Sequence, residues 1–169
     1  MHDREREERL NDWLNRHEGL LVKVARSFTR TSHDQDDLIQ EISFQLWKSI
    51  PGYQPRVAES TWVYRVAFYT AINWSRKERS REERVRELRD KPPPNERSGP
   101  PDQRLEWLYD QIARMEPIDR SLTLLVLDGR SYREMSETLG ISESNVGVRI
   151  NRLKKRLTNQ LERGDDHEL

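Results

Sequence analysis

The hydrophobic positions of this chain fall into short helical runs separated by polar and proline-rich breaks. Leu10, Leu14, His17, Leu21, Val24 and Phe28 recur at helical spacing, with Trp13 beside them. They predict an amphipathic first helix behind a charged, frayed lead-in, Met1–Arg9. Thr31–Asp34 is a polar break in which Asp34 can cap the next element. In Asp36–Ile50, Leu38, Ile39, Ile42, Leu46 and Ile50 form a core-facing side, while Asp37, Gln40, Glu41 and Phe44 form a separate ridge. Pro51-Gly52 ends that helix, and Tyr53–Glu59 is a loop. Ser60 is placed to cap a third helix from about Thr61 into the Arg/Glu-rich Lys77–Arg89 stretch. It carries Trp62, Tyr64, Phe68, Tyr69 and Trp74.

Lys91–Pro101 (KPPPNERSGPP) cannot be helical and reads as a linker between two helical domains. The division is a first domain over 1–90, a flexible linker over 91–104 and a second domain over 105–163, followed by a polar tail. Leu105–Met115 opens the second domain, Pro117 breaks or starts a helix, and Leu122, Leu125 and Val126 supply a scaffold. Ser131–Leu157 then holds two short helical patterns joined by a tight turn. Ser131 and Glu134 have capping-box spacing, and Met135 and Leu139 give the first helix its apolar side. Gly140 can take the positive φ of a helix C-cap, and Ser142 is the natural N-cap of the next helix. There Val146, Ile150, Leu153 and Leu157 form an apolar seam, opposite Ser144, Val148, Asn151, Arg152 and Lys155. Arg149, Arg152, Lys154, Lys155 and Arg156 lie in Asn145–Leu161 without an acidic residue. The pattern fits a helix-turn-helix reader of the major groove or a plain helical hairpin with a solvated basic side. Agreement of capping, turn, seam and charge favours the reader.

Composition sharpens this all-α picture. Only 33% of the 169 residues are hydrophobic and 36% are charged, so each core must be thin. Formal net charge is zero but unevenly spread: His33–Ile42 holds Asp34, Asp36, Asp37 and Glu41 and no Lys or Arg, the reverse of the last helix. Such polarity suits one surface for a basic partner and another for nucleic acid. The absence of cysteine removes disulfides and thiolate chemistry, and fits a reducing cytoplasm. The histidines at 2, 17, 33 and 167 are scattered without metal-ligand spacing and read as surface residues. There is no apolar run of spanning length, no nucleophile–base set and no phosphate-binding glycine loop. A non-enzymatic protein without metal, cofactor or membrane insertion is therefore expected.

Two features keep alternatives open. The acidic ridge is either a favourable helix-dipole start or a protein-binding surface. Aromatics at helical spacing are mostly core, which is the reading for Trp62 and Trp74. The others, beside Arg56, Arg65, Arg76 and Lys77, suit stacking on unpaired bases and gripping their phosphates.

Three blocks in this order resemble the sigma-70 family, in the short extracytoplasmic-function (ECF) form with only regions 2 and 4. They are DDLIQEISFQLWKSI, STWVYRVAFYTAINWSRK and GRSYREMSETLGISESNVGVRINRLKKRL. The resemblance implies a sigma factor that binds core RNA polymerase, at the largest-subunit clamp and the flap, and directs it to promoter DNA. It implies polymerase contacts at Asp36, Asp37, Gln40, Glu41 and Phe44. It implies −10 contacts at Tyr53, Gln54, Arg56, Ser60, Thr61, Arg65, Phe68, Tyr69, Arg76 and Lys77. For the −35 element it implies Ser142, Ser144, Asn145, Val148, Arg149, Asn151, Arg152 and Lys155. Trp62, Tyr64 and Arg65 match the family's WLYR segment; Phe68, Tyr69 and Asn73 depart from its usual residues, as do Gly147 and Val148. An anti-sigma factor is implied by the resemblance alone. The rival readings are a self-sufficient DNA-binding regulator, for which no dimer surface is evident, and a helical adaptor whose basic helix binds acidic protein.

Overall fold

The computed structural model describes residues 3–86 and 103–165, which form seven α-helices and one 3₁₀ turn, with no strand among the described residues. The first three helices are α1 (Asp3–Phe28), α2 (Ser32–Ser49) and α3 (Glu59–Arg86), with the 3₁₀ turn Ile50–Gly52 after α2. The last four are α4 (Gln103–Ala113), α5 (Pro117–Leu127), α6 (Tyr132–Leu139) and α7 (Glu143–Asp165). The all-α class and both helical units are as the sequence predicts. The Pro-rich stretch Lys91–Pro101 lies outside the described residues.

Local chemistry moves three helix starts. The lead-in read as frayed is helical from Asp3, and Arg4 pairs with Glu8 one turn on at 3.1 Å. An exposed pair of that kind contributes only about 0.3–0.5 kcal/mol. The firmer hold is Arg6, whose guanidinium lies 3.5 Å from the Trp47 ring centroid and donates to the Trp47 carbonyl at 2.8 Å. For α2 the cap is Thr31 rather than Asp34: the Thr31 hydroxyl accepts from the Asp34 amide at 3.1 Å and donates to its carboxylate at 2.7 Å. α3 starts at Glu59, before Ser60, with the Trp62 amide donating to the Ala58 carbonyl at 3.0 Å. The Glu59 carboxylate suits that N-terminus. Arg16 and His17 meet it, each at 3.2 Å. His17, read as a surface residue, is thus largely enclosed, with its ring edge-on to Tyr64 at 5.3 Å.

α1, α2 and α3 pack against one another, and α3 also packs on α5 and α6. Neighbours on two sides bury Val63, Tyr64, Ala67, Phe68, Ala71 and Ile72. That is an arc of roughly half the helix, wider than one amphipathic stripe. Trp62 and Trp74, expected in the core, are only partly buried against it; Tyr64 and Phe68 take that place. The buried side chains of both units form one cluster, from Trp13, Leu38 and Leu46 to Leu122, Leu125, Met135 and Ile150. Arg120 reinforces this junction. It donates to the carbonyls of Ser27 at the end of α1 and of Ala113 and Met115 at the end of α4, and lies 4.7 Å from the Phe28 ring centroid. Burial pushes its pKa down to about 10, so it still carries its charge at neutral pH.

The helix-turn-helix forms as its spacing predicts. The Ser131 hydroxyl accepts from the Glu134 amide at 3.2 Å, while the Glu134 carboxylate accepts from the Ser131 amide at 2.8 Å. Gly140 ends α6 at φ +68°, and the Ser142 hydroxyl caps α7 by accepting from the Asn145 amide at 3.1 Å.

Candidate partner and nucleic-acid interfaces

The ridge on α2 points outward. Leu38, Ile42 and Leu46 are buried, while Asp36, Gln40 and Phe44 are exposed and Asp37 and Glu41 are half-exposed. Phe44 is 52% exposed, with the Lys48 ammonium 5.3 Å from its ring. Full burial of such a side chain is worth about 1.5–3 kcal/mol, so an aromatic left in water beside carboxylates is a ready anchor for a basic, partly apolar partner. Glu41 accepts from Gln45 at 2.8 Å and Asp37 stands 3.5 Å from His33. Among the described residues no Lys or Arg neutralises either one at salt-bridge distance.

The ten residues expected at unpaired DNA are not equivalent. Gln54, Arg56, Tyr69, Arg76 and Lys77 are exposed, and Ser60 and Arg65 partly so. Tyr53 is half-buried, its ring edge-on to Trp13 at 5.2 Å and Trp62 at 5.7 Å, and its hydroxyl donates to the Val57 carbonyl at 3.1 Å. Two expectations are corrected for this conformation. Phe68 is 0% exposed and Thr61 is buried, so neither can meet a base here, because α3 is covered on two sides.

On α7 the seam of Val146, Ile150 and Leu153 is buried and Leu157 partly so. The opposite face presents Ser144, Val148, Asn151, Arg152 and Lys155 to solvent, with Ser142 and Asn145 at the start of the helix. Arg149 departs from this set. Its guanidinium pairs with Asp119 of α5 at 2.7 Å and with the Asn145 side chain at 3.1 Å, so it braces α7 on α5. The bare backbone at Gly147 has a counterpart in Tyr132, since a Cβ there would lie 3.5 Å from the Tyr132 ring.

A second polar cluster escaped sequence reasoning because it joins Tyr64 to a group 66 residues away in the chain. The Arg130 guanidinium donates to Asp128 at 2.9 Å and to the Tyr64 hydroxyl at 2.9 Å, and stands 3.4 Å from Glu134. Tyr64 donates in turn to Asp128 at 3.4 Å, and burial first, then the Asp128 charge, raises its pKa. Next to Tyr64 on α3, Arg65 donates to the Glu137 carbonyl at 2.5 Å, and further along the helix Tyr69 donates to the Leu139 carbonyl at 3.0 Å. Among the described residues no group of His, Asp and Glu could hold a metal ion, and no helix is long and apolar enough to cross a membrane.

A helical bundle with an acidic, aromatic ridge, carrying a capped helix-turn-helix with a basic outer face, defines a two-unit helical DNA-binding protein. Residues 13–81 match Sigma-70 region 2 and residues 105–157 match Sigma-70, region 4. The chain belongs to the sigma-70 family, in its ECF group. It is 28% identical over 157 residues to the ECF RNA polymerase sigma factor SigE of Mycolicibacterium smegmatis, covering 89% of this chain and 61% of that protein. The ECF RNA polymerase sigma-E factor of Haemophilus influenzae is 29% identical over 157 residues, covering 83% and 82% respectively. Among solved structures, CnrH in complex with the cytosolic domain of CnrY shares the fold, with a TM-score of 0.68 at 20% identity over 92% of this chain and 89% of that one. The sigma factor RpoE in complex with the anti-sigma factor NepR, from Bartonella quintana, has a TM-score of 0.67 at 16% identity, over 89% and 97%.

Proposed function

We propose that this chain is a promoter-specificity subunit of bacterial RNA polymerase, binding the core enzyme and directing it to promoters. The observation that carries this reading is the pairing, in one sigma-family chain, of an outward acidic ridge on α2 with a solvent-facing Asn151/Arg152/Lys155 surface on a capped helix-turn-helix. The ridge meets a basic surface of the polymerase clamp, with Phe44 as its apolar anchor. The outer face of α7 reads duplex DNA at the −35 element, where Arg152 suits a bidentate contact to guanine and Lys155 a phosphate. The Tyr53–Glu59 loop and the exposed cations of α3 hold the separated −10 strand. The polymerase supplies the catalysis, and this chain needs no cofactor. An anti-sigma factor is a further partner; the resemblance implies one, and the RpoE neighbour was solved with one. The chain is expected to work in the cytoplasm.

The test is affinity purification of the tagged chain with bacterial core polymerase, followed by retention of labelled promoter fragments. The assembled enzyme should hold fragments that neither component holds alone. Sequence-specific retention by the chain as a free dimer would support the self-sufficient regulator instead.

A further inference from the structure

We infer that Tyr132 of α6 and Val148 of α7 form an apolar notch at Gly147 that reads the C5 methyl of a thymine in the −35 duplex. The inference deepens the reading of α7 as the duplex reader and rests on it. Gly147 is the fifth residue of α7, which starts at Glu143, so it lies in the half of the helix that contacts base edges. It presents no side chain. The Tyr132 ring, from the first turn of α6, runs along that bare backbone. Its Cε2 and Cδ2 atoms stand 3.5 and 3.9 Å from where a Cβ would lie. The ring is nevertheless 40% exposed, and Val148, next to the glycine, is 55% exposed. Packing of α6 on α7 does not account for that exposure, since Met135 and Leu139 with Val146 and Ile150 are buried without it. Apolar surface is thus left in water on the same face as the polar Ser144, Asn151 and Arg152.

The chemistry of the notch selects its occupant. Gly147 and Val148 offer no side-chain donor or acceptor. A polar base edge pressed on them would lose its hydrogen bonds to water and gain none, which is the costly arrangement. The one apolar group that a base pair presents in the major groove is the C5 methyl of thymine. A Tyr132 hydroxyl contact to phosphate would carry no sequence information, so the ring and the hydroxyl have separable roles. Arg152 lies one turn beyond Val148, so the notch and Arg152 should report on different base pairs.

The test uses the full-length chain assembled with core polymerase and a promoter fragment that this enzyme retains. Each thymine of the −35 element, on either strand, is replaced singly by deoxyuridine, which lacks only the methyl. One replacement should weaken retention by wild type about fourfold, the effect of withdrawing one methyl-sized group from burial. In Tyr132→Ala and Val148→Ala the same replacement should change retention by less than about twofold, because part of the contact is already gone. Tyr132→Phe should keep the full sensitivity. Should Tyr132→Ala unfold, Val148→Ala, altered at an exposed position, carries the test. A wild type indifferent to every replacement would overturn the proposal, as would undiminished sensitivity in the folded alanine variants. Loss of sensitivity in Tyr132→Phe would overturn it too, by assigning the contact to the hydroxyl. If retention depends on no −35 base pair at all, the reading of α7 falls and the proposal with it.

Discussion

The Tyr69 hydroxyl donates to the Leu139 carbonyl at 3.0 Å, and a Cβ on the next residue, Gly140, would lie 3.2 Å from that same hydroxyl. The close approach and the φ of +68° both require glycine. Gly140→Ala should cost about 1–2 kcal/mol from the left-handed backbone alone, and should also push Tyr69 off its acceptor. Urea unfolding should show a lowered midpoint, whereas Gly52→Ala, with nothing within 4 Å, should show none. Equal midpoints for the two variants would contradict this.

On the proposed reading, Arg152 and Lys155 on the outer face of α7 would meet DNA, whereas Arg149 braces the helix on α5. Arg152→Ala should weaken binding at one −35 base pair by about 1–3 kcal/mol and relax preference there. Lys155→Ala should weaken all sequences alike and lower the salt slope by about one unit. Arg149 is held by Asp119, so Asp119→Ala should lower stability and release Arg149 to phosphate, steepening the salt slope. Gly147→Arg must displace or run along the Tyr132 ring, and should tighten or redirect −35 binding only if it does so without loss of stability. Titration of a −35 mutant panel at two salt concentrations measures all four.

Charge reversal on the ridge, Asp37→Lys with Glu41→Lys, should abolish co-purification with core polymerase. Neither side chain is in the core, so the melting profile of the isolated chain should be nearly unchanged. Full polymerase binding by the folded double variant would remove the ridge from this role.

The capping box at Ser131 should be sensitive to acid. The Ser131 amide, then its hydroxyl and Arg130, hold Glu134 below its usual 4.5, so the folded state keeps the carboxylate charged at lower pH than the unfolded state does. Its contribution is complete above that value and is lost as pH falls below it. Glu134→Gln should therefore be less stable than wild type at neutral pH, and the difference should close under acid conditions. Paired thermal melts across that range check this; a pH-independent gap would contradict it.

How much was legible depended on how local each signal was. The Ser131/Glu134 box, the Gly140 turn, the Ser142 cap and the Val146/Ile150/Leu153 seam are neighbours in sequence, and each forms as its spacing requires. The α2 ridge was legible for the same reason. The burial of Phe68 was not, because α3 is packed by helices of both units and no periodicity along α3 marks packing on more than one side. The Tyr64–Arg130–Asp128 cluster and the Arg149–Asp119 brace joined partners up to 66 residues apart, and no periodicity marks them. Two helix starts moved for reasons local to one side chain: Thr31 caps α2 through the Asp34 amide, and Glu59, paired with Arg16 and His17, is itself the first residue of α3.

The most direct test of the central claim is transcription from genomic promoter fragments by bacterial core polymerase with and without this chain, with the 5′ ends mapped. The chain should convert diffuse initiation into discrete starts that share two short upstream elements, and Arg152→Ala should selectively weaken those with the preferred −35 base. Unchanged, diffuse initiation in the presence of a folded, polymerase-bound chain would contradict its assignment as a promoter-specificity subunit.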